Sequence, residues 1–282
     1  MQWGEQAPGR PLWRQVLGRV LEQRQVGPNS YLLGLQQPWL AEAGRPGQFV
    51  HVRCGQGRDP LLRRPLSLFG VDPGEGRVEL LYQVVGRGTA LLSGLRPGMD
   101  VDLMGPLGRG FPRPPDGEGL CLVAGGLGVA PLVPAAQAWG AGRRVLALVG
   151  ADTAAELLPE VQRRLVEAGA EVQLATMDGS RGTPGPVTDL LEGAIAREAD
   201  AGRTGGWVVF ACGPSAMLRR TAALAQSAGW PCYLCLEARM GCGVGACAGC
   251  AWPAAPDRPG GRFVRVCRDG PVFLAQEVGW WE

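Results

Sequence analysis

Leu122-Val123-Ala124-Gly125-Gly126-Leu127-Gly128-Val129-Ala130-Pro131 decides how the second half of the chain folds. An apolar run ends on a glycine turn, and a proline stands where a helix would begin. In a dinucleotide-binding fold such a turn cradles phosphate, because glycine lets the backbone approach the ligand and the amides of the following helix face it. The string is not a full G-x-G-x-x-G, so its weight comes from its surroundings.

From residue 120 onward, strand-like runs at 120–124, 145–149, 172–175 and 207–211 alternate with helix-length segments at 155–168, 188–197 and 215–228. This alternation predicts a doubly wound parallel α/β sheet over 118–228. Phe210-Ala211-Cys212-Gly213-Pro214 is a second strand end leading into a helix. Gly125, Gly126, Gly128, Cys212, Gly213 and Pro214 are therefore candidates for binding a dinucleotide along one sheet edge. A small buried side chain without chemistry is the plainer account of Cys212. The turn after 145–149 reads Gly150-Ala151-Asp152-Thr153, with no arginine for a 2′-phosphate, which favours NAD over NADP.

Upstream, over 1–113, short apolar runs at 31–35, 49–52, 78–85 and 101–104 are separated by Gly and Pro, the pattern of a small antiparallel β-barrel or sandwich. Residues 112–119 (PRPPDGEG) have no apolar side chain and two adjacent prolines, as an interdomain linker would. Within the barrel, Arg64-Pro65-Leu66-Ser67 offers a planar guanidinium fork for a phosphate and a hydroxyl for the polar edge of a flavin. Taken alone it reads equally as a strand edge with an exposed charge. Residues 84–89 (VVGRGT) run a strand into a glycine turn and a short helix that Thr89 can cap, where free amides suit a pyrophosphate. A plain capped helix fits that string as well.

Beyond Gly229 the periodicity stops and cysteines crowd together. Cys242, Cys247, Cys250 and Cys267 are separated by four, two and sixteen residues. The first spacings are the C-x4-C-x2-C of plant-type 2Fe-2S centres, with a distal fourth ligand. Small residues between the cysteines let the loop wrap tightly and aim amides at cluster sulfur. A four-cysteine zinc site is the bland alternative, but such sites usually present two C-x-x-C knuckles, and within this set only Cys247 to Cys250 qualifies. Cys232 and Cys235 lie in an apolar, strand-like run and read as core residues, as do Cys54 and Cys121.

The whole chain sets limits on other chemistry. Its 282 residues suit two moderate domains and an appendage, with the small cluster domain over 229–282. A net charge of +2 without a basic stripe argues against nucleic acid. The sequence has no lysine and one histidine, His51, which excludes a Walker loop, a Schiff-base lysine and a histidine-rich zinc site. His51 sits in a strand-like run and carries no expected catalytic role. Residues 1–19 lack a secretory pattern, no stretch suits a membrane span, and nine cysteines favour ligation over disulfides, so a cytoplasmic protein is expected.

Taken in order, RPLS at 64–67, GRGTALLS at 86–93, GGLGVAP at 125–131, DGSRGTPGPVTD at 178–189, CGPSAM at 212–217 and LEARMGCGVGACAGC followed by RVCRDGPVF resemble the ferredoxin-NADP reductase superfamily over nearly the whole length. Within it, the chain resembles the electron-transfer subunits of dihydroorotate dehydrogenase B. The resemblance implies FAD held by Arg64, Pro65, Leu66, Ser67, Gly88 and Thr89 and lined by Leu81, Tyr82 and Gln83, and a 2Fe-2S cluster on Cys242, Cys247, Cys250 and Cys267. Many superfamily members place an aromatic residue where Leu66 stands, so that stacking partner is missing here.

The resemblance also implies NAD as co-substrate and an FMN-containing dihydroorotate dehydrogenase catalytic subunit as partner, in a heterotetramer of two of each. Electrons must leave the chain, so an apolar contact patch is expected near the cluster. A diaphorase-type subunit of a ferredoxin-NADP transhydrogenase or sulfhydrogenase has the same three parts. A redox-silent, zinc-holding binding module is the alternative of another class.

Overall fold

The computed structural model describes residues 13–55, 57–202 and 206–281. Residues 1–12, which hold most of the stretch read above for a secretory pattern, lie outside the described residues.

The first half contains β1 (Arg14–Gly27), β2 (Ser30–Gln36), α1 (Pro38–Ala43), β3 (Phe49–Val52), β4 (Arg64–Asp72), β5 (Arg77–Gln83), α2 (Arg87–Ser93) and β6 (Asp100–Leu107). The six strands close into a barrel in the order β1-β2-β5-β4-β3-β6, with every pairing antiparallel. Strand alternation fills the interior with Leu33, Leu35, Val50, Val52, Leu68, Val78, Leu80 and Leu103. The same alternation sends Phe49 out of the barrel, where the rest of the molecule covers it.

The second half contains β7 (Gly119–Gly125), α3 (Leu132–Trp139), β8 (Val145–Ala151), α4 (Pro159–Glu167), β9 (Ala170–Thr176), β10 (Thr183–Pro184), α5 (Val187–Asp200), β11 (Trp207–Cys212), α6 (Ser215–Ser227) and β12 (Cys232–Cys235). It ends with β13 (Ala251–Pro253), β14 (Phe263–Arg265), α7 (Val266–Asp269) and β15 (Val272–Leu274). One sheet runs β10-β9-β8-β7-β11-β12-β15, parallel except that β15 joins β12 antiparallel. Central strands such as β7 are apolar along their length because helices cover both faces, α3 and α4 on one side and α5 and α6 on the other. The chain builds outward from β7 to β10, then returns to lay β11 on the other side of β7. That reversal is where open α/β sheets bind ligands.

Two local readings differ in detail. The helix expected at 155–168 is a 3-10 turn, Ala154–Glu156, followed by α4, because Pro159 can open a helix but cannot donate within one. After β7, a 3-10 turn, Gly126–Val129, precedes α3, and Pro131 is its N-cap rather than its first residue.

The barrel is docked firmly on the sheet. Leu32, Phe69, Leu81 and Phe111 join the core beneath α3 and α4, and Phe111 stacks on Phe210 with ring centroids 4.3 Å apart. Arg164 of α4 reaches Glu79 of β5 at 2.5 Å and Glu160 at 2.7 Å, with its guanidinium 4.5 Å from the Phe69 ring centroid. Residues 111–118 form no regular element, and Arg143 ties them down by donating to the carbonyls of Pro114, Pro115 and Glu118.

Candidate functional site

The cysteine loop runs between β12 and β13, and α7 brings Cys267 back to it. Sulfur is already the acceptor for its amides. Val244, Ala246 and Cys247 donate to Cys242 Sγ at 3.4, 3.2 and 3.4 Å, Gly245 donates to Cys267 Sγ at 3.1 Å, and Cys267 donates to Cys250 Sγ at 3.4 Å. Such a fold needs a left-handed backbone at Gly243 (φ +74°), and the non-glycine Ala248 also adopts it (φ +55°).

Backbone amides link the cysteines in two pairs, Cys247 N–H donating to Cys242 Sγ and Cys267 N–H to Cys250 Sγ. Among the described residues no three Cys, His or carboxylate groups converge as ligands of a single ion would. Two pairs of soft donors, each facing backbone N–H groups, fit a two-iron cluster held by four thiolates. At Cys242 burial raises the pKa, but the amides of Cys247, Val244 and Ala246 and the Cys247 thiol outweigh it and bring the pKa down to about 6. Burial and the Cys250 thiol push Cys267 up to about 12. Cys247 is exposed while Cys250 and Cys267 are buried, so one end of the loop meets solvent.

The flavin motifs meet at the mouth of the barrel. The first four residues of β4, Arg64 to Ser67, are half-buried, and the next three are buried. The Arg64 side chain lies across Gly88, where an added Cβ would stand 2.9 Å from Nε. Two strings distant in sequence therefore meet to form one cradle. Thr89 acts differently from the expectation: Gly86 is the N-cap of α2, and the Thr89 hydroxyl accepts from the amides of Val85 (3.0 Å) and Gly86 (3.3 Å) and donates to the Gly86 carbonyl. It locks the turn, leaving the first amides of α2 without intrahelical acceptors.

Of the 81–83 run, Leu81 packs in the core shared with the sheet and Gln83 is half-buried. Tyr82 turns its ring into the barrel, accepts from Gln23 Nε2, and has its hydroxyl pushed up to about 12 by burial. Its backbone is the part that can line a flavin.

At the sheet reversal the two strand ends touch. A Cβ on Gly128 would stand 2.2 Å from the Cys212 carbonyl oxygen, and one on Gly125 would stand 2.7 Å from Pro214 Cδ. Gly126 (φ +54°) faces open space. A cleft of about 210 Å³ follows the carboxyl ends of the strands, lined by Gly125, Gly126, Asp152, Glu156, Met177 and Pro214 among others, and no arginine among the described residues lines it.

Cys212 is buried, and its hydrogen bond with Cys235 followed by desolvation raises its pKa, so it stands as a neutral thiol. Sequence reading missed Glu237. The parallel register Cys212↔Cys235 brings it near Cys212, and although the residue has exposed surface, burial of its carboxyl raises its pKa. Only strand pairing reveals that proximity.

His51 lies in β3, as its strand-like run suggested. It is fully buried, paired with Pro65 across β3 and β4, and its ring abuts the cysteine loop, with Nδ1 2.7 Å from where a Gly243 Cβ would be. Burial, then the charge of Arg63, brings its pKa down to about 4, although the carbonyls of Cys242 and Arg63 beside the ring act the other way. Those carbonyls are poorly aligned, since neither ring nitrogen makes a well-formed hydrogen bond.

Comparison with known proteins agrees with this geometry. Residues 237–279 match the iron-sulfur cluster binding domain of dihydroorotate dehydrogenase B. The dihydroorotate dehydrogenase B (NAD(+)), electron transfer subunit of Bacillus caldolyticus is 44% identical over 264 residues, spanning 92% of this chain and 96% of that protein. Its counterpart in Desulforamulus reducens is 40% identical over 265 residues, spanning 93% and 97%. Among solved structures, an NADH-dependent reduced ferredoxin-NADP oxidoreductase superimposes with a TM-score of 0.77 at 28% identity, covering 97% of this chain and 92% of that one. With this identity over nearly its full length, the chain belongs to the family of dihydroorotate dehydrogenase B (NAD(+)) electron transfer subunits.

Proposed function

We propose that this chain receives electrons from an FMN-containing dihydroorotate dehydrogenase catalytic subunit and passes them through a 2Fe-2S cluster and FAD to NAD+, serving pyrimidine biosynthesis. The carrying observation is the thiol loop, whose two cysteine pairs already gather backbone N–H groups onto sulfur. The names and identity of the relatives support the choice of dihydroorotate system over a transhydrogenase subunit.

Cys242, Cys247, Cys250 and Cys267 hold the cluster in this reading. Arg64 would neutralise FAD phosphate, Gly88 and the amides at the start of α2 would receive the pyrophosphate, and Pro65, Leu66, Ser67 and the 81–83 backbone would border the ring. Gly125, Gly126, Gly128, Gly213 and Pro214 shape the cleft for the dinucleotide, and Cys212 packs beneath it as a neutral thiol. FAD supplies the junction between one-electron and two-electron chemistry. The chain binds, orients and shields, and none of its side chains is assigned as general acid or base.

The functional units are taken as residues 1–113 for FAD, 118–228 for NAD and 229–282 for the cluster. We place the protein in the cytoplasm, in an assembly of two chains with two catalytic subunits. All nine cysteines are free thiols, and no helix among the described residues is long and apolar enough to cross a membrane. Co-expression tests the proposal: dihydroorotate should reduce NAD+ only when this chain and an FMN-containing subunit copurify. A copurifying partner carrying 4Fe-4S clusters and inert to dihydroorotate would reject it.

A further inference from the structure

His51 is the one histidine in the chain and the described structure buries it completely, with both ring nitrogens lacking a well-formed hydrogen bond. A buried imidazole in either tautomer carries at least one N–H, and an orphaned buried donor is costly enough that native structures rarely leave one. The ring lies against the cysteine loop, and the carbonyls of Cys242 and Arg63 beside it are too poorly aligned to satisfy it. One edge abuts Gly243, the residue after Cys242 and just before Val244 and Gly245, whose amides donate to Cys242 Sγ and Cys267 Sγ. On its strand, His51 pairs with Pro65 of the Arg64-Pro65-Leu66-Ser67 stretch.

We infer that the His51 ring N–H donates a hydrogen bond to sulfur of the 2Fe-2S cluster, making His51 the positioning residue that joins the cluster loop to the flavin strand. The inference rests on the cofactor reading above and adds a residue to it. Cys242 and Arg63 present carbonyls to the ring from opposite elements, one on the cluster loop and one just before β4, so the imidazole also spans the seam between them. A donor aimed at cluster sulfur stabilises the extra negative charge of the reduced state and raises the reduction potential. Gly243 is needed for the approach, since any side chain there would strike the ring.

Because the sequence holds a single histidine, labelling histidine with 15N marks this one ring. The untagged full chain, loaded with FAD and cluster and reduced with dithionite, is examined by pulsed EPR. A hyperfine coupling to 15N, absent from the unlabelled chain, is the expected result. In His51→Phe the one-electron reduction constant of the cluster should fall about tenfold, which corresponds to a potential lower by 59 mV, while His51→Gln, which keeps an N–H donor, recovers part of the loss. A normal reduced-cluster spectrum without histidine nitrogen coupling overturns the inference, as does an unchanged potential in His51→Phe. A chain with no cluster signal at all would overturn the cofactor reading and this inference together.

Discussion

Arg164→Met should loosen the barrel from the sheet. Arg164 is wedged between Glu79 and Glu160, and both members of the Arg164–Glu79 pair are only 12% exposed in their side chains, so solvent screening is weak. Removing one partner of a buried pair costs about 3–5 kcal/mol. Here Glu79 keeps Arg77 at 2.9 Å and Glu160 keeps Arg163 at 2.8 Å. Methionine also retains part of the contact with Phe69, so the cost falls at the low end, about 3 kcal/mol.

At about 2–4 °C per kcal/mol for a unit of this size, release of flavin on heating should move down by about 6–12 °C. Glu79→Gln should cost a similar amount, and the double variant should fall short of the sum by about 1–2 kcal/mol because both changes remove one interaction. The pair also sets acid sensitivity. Burial opposes ionisation of Glu79, but its hydrogen bonds and charges with Arg164 and Arg77 outweigh that and hold its pKa below 4.5. The stabilisation is therefore complete above pH 4.5 and is lost as pH falls through the depressed value, so Glu79→Gln and the parent should converge in acid. A melting shift of less than about 1 °C in Arg164→Met, or strict additivity in the double variant, would refute the clamp.

Gly128→Ala places a methyl against the Cys212 carbonyl oxygen, where neither side can yield cheaply. Overpacking of about 1–3 kcal/mol should appear as lower stability, and NADH oxidation should drop while FAD and iron content stay at parent levels. In the chain stripped of its cluster, Cys242, with its pKa near 6, should be alkylated first at neutral pH, whereas Cys232, pushed up to about 12 by burial, stays silent until unfolding. Mass spectrometry of the alkylated peptides reads that order directly.

The C-x4-C-x2-C spacing stands out because it is local in sequence, and the strands of the sheet were legible because strands buried on both faces are continuously apolar. What escaped depended on pairing between distant segments. Nothing near His51 in sequence announces the loop around Gly243, and nothing near Cys212 announces Cys235 and Glu237. Residues 232–235 read as strand-like, but runs of four and three residues do not announce that β12 and β15 extend the sheet. Thr89 shows the limit of motif reading: the residue type fits a cap, yet the turn begins at Gly86 and the hydroxyl closes it from inside.

Metal and sulfide analysis of the freshly purified chain, paired with serine replacement of each of Cys242, Cys247, Cys250 and Cys267, tests the central claim most directly. The account predicts two irons and two acid-labile sulfides per chain, with the cluster's visible absorption and reduced EPR signal lost or strongly altered in every replacement. Stoichiometric zinc without sulfide, or a parent-like cluster surviving any one of the four replacements, would contradict it.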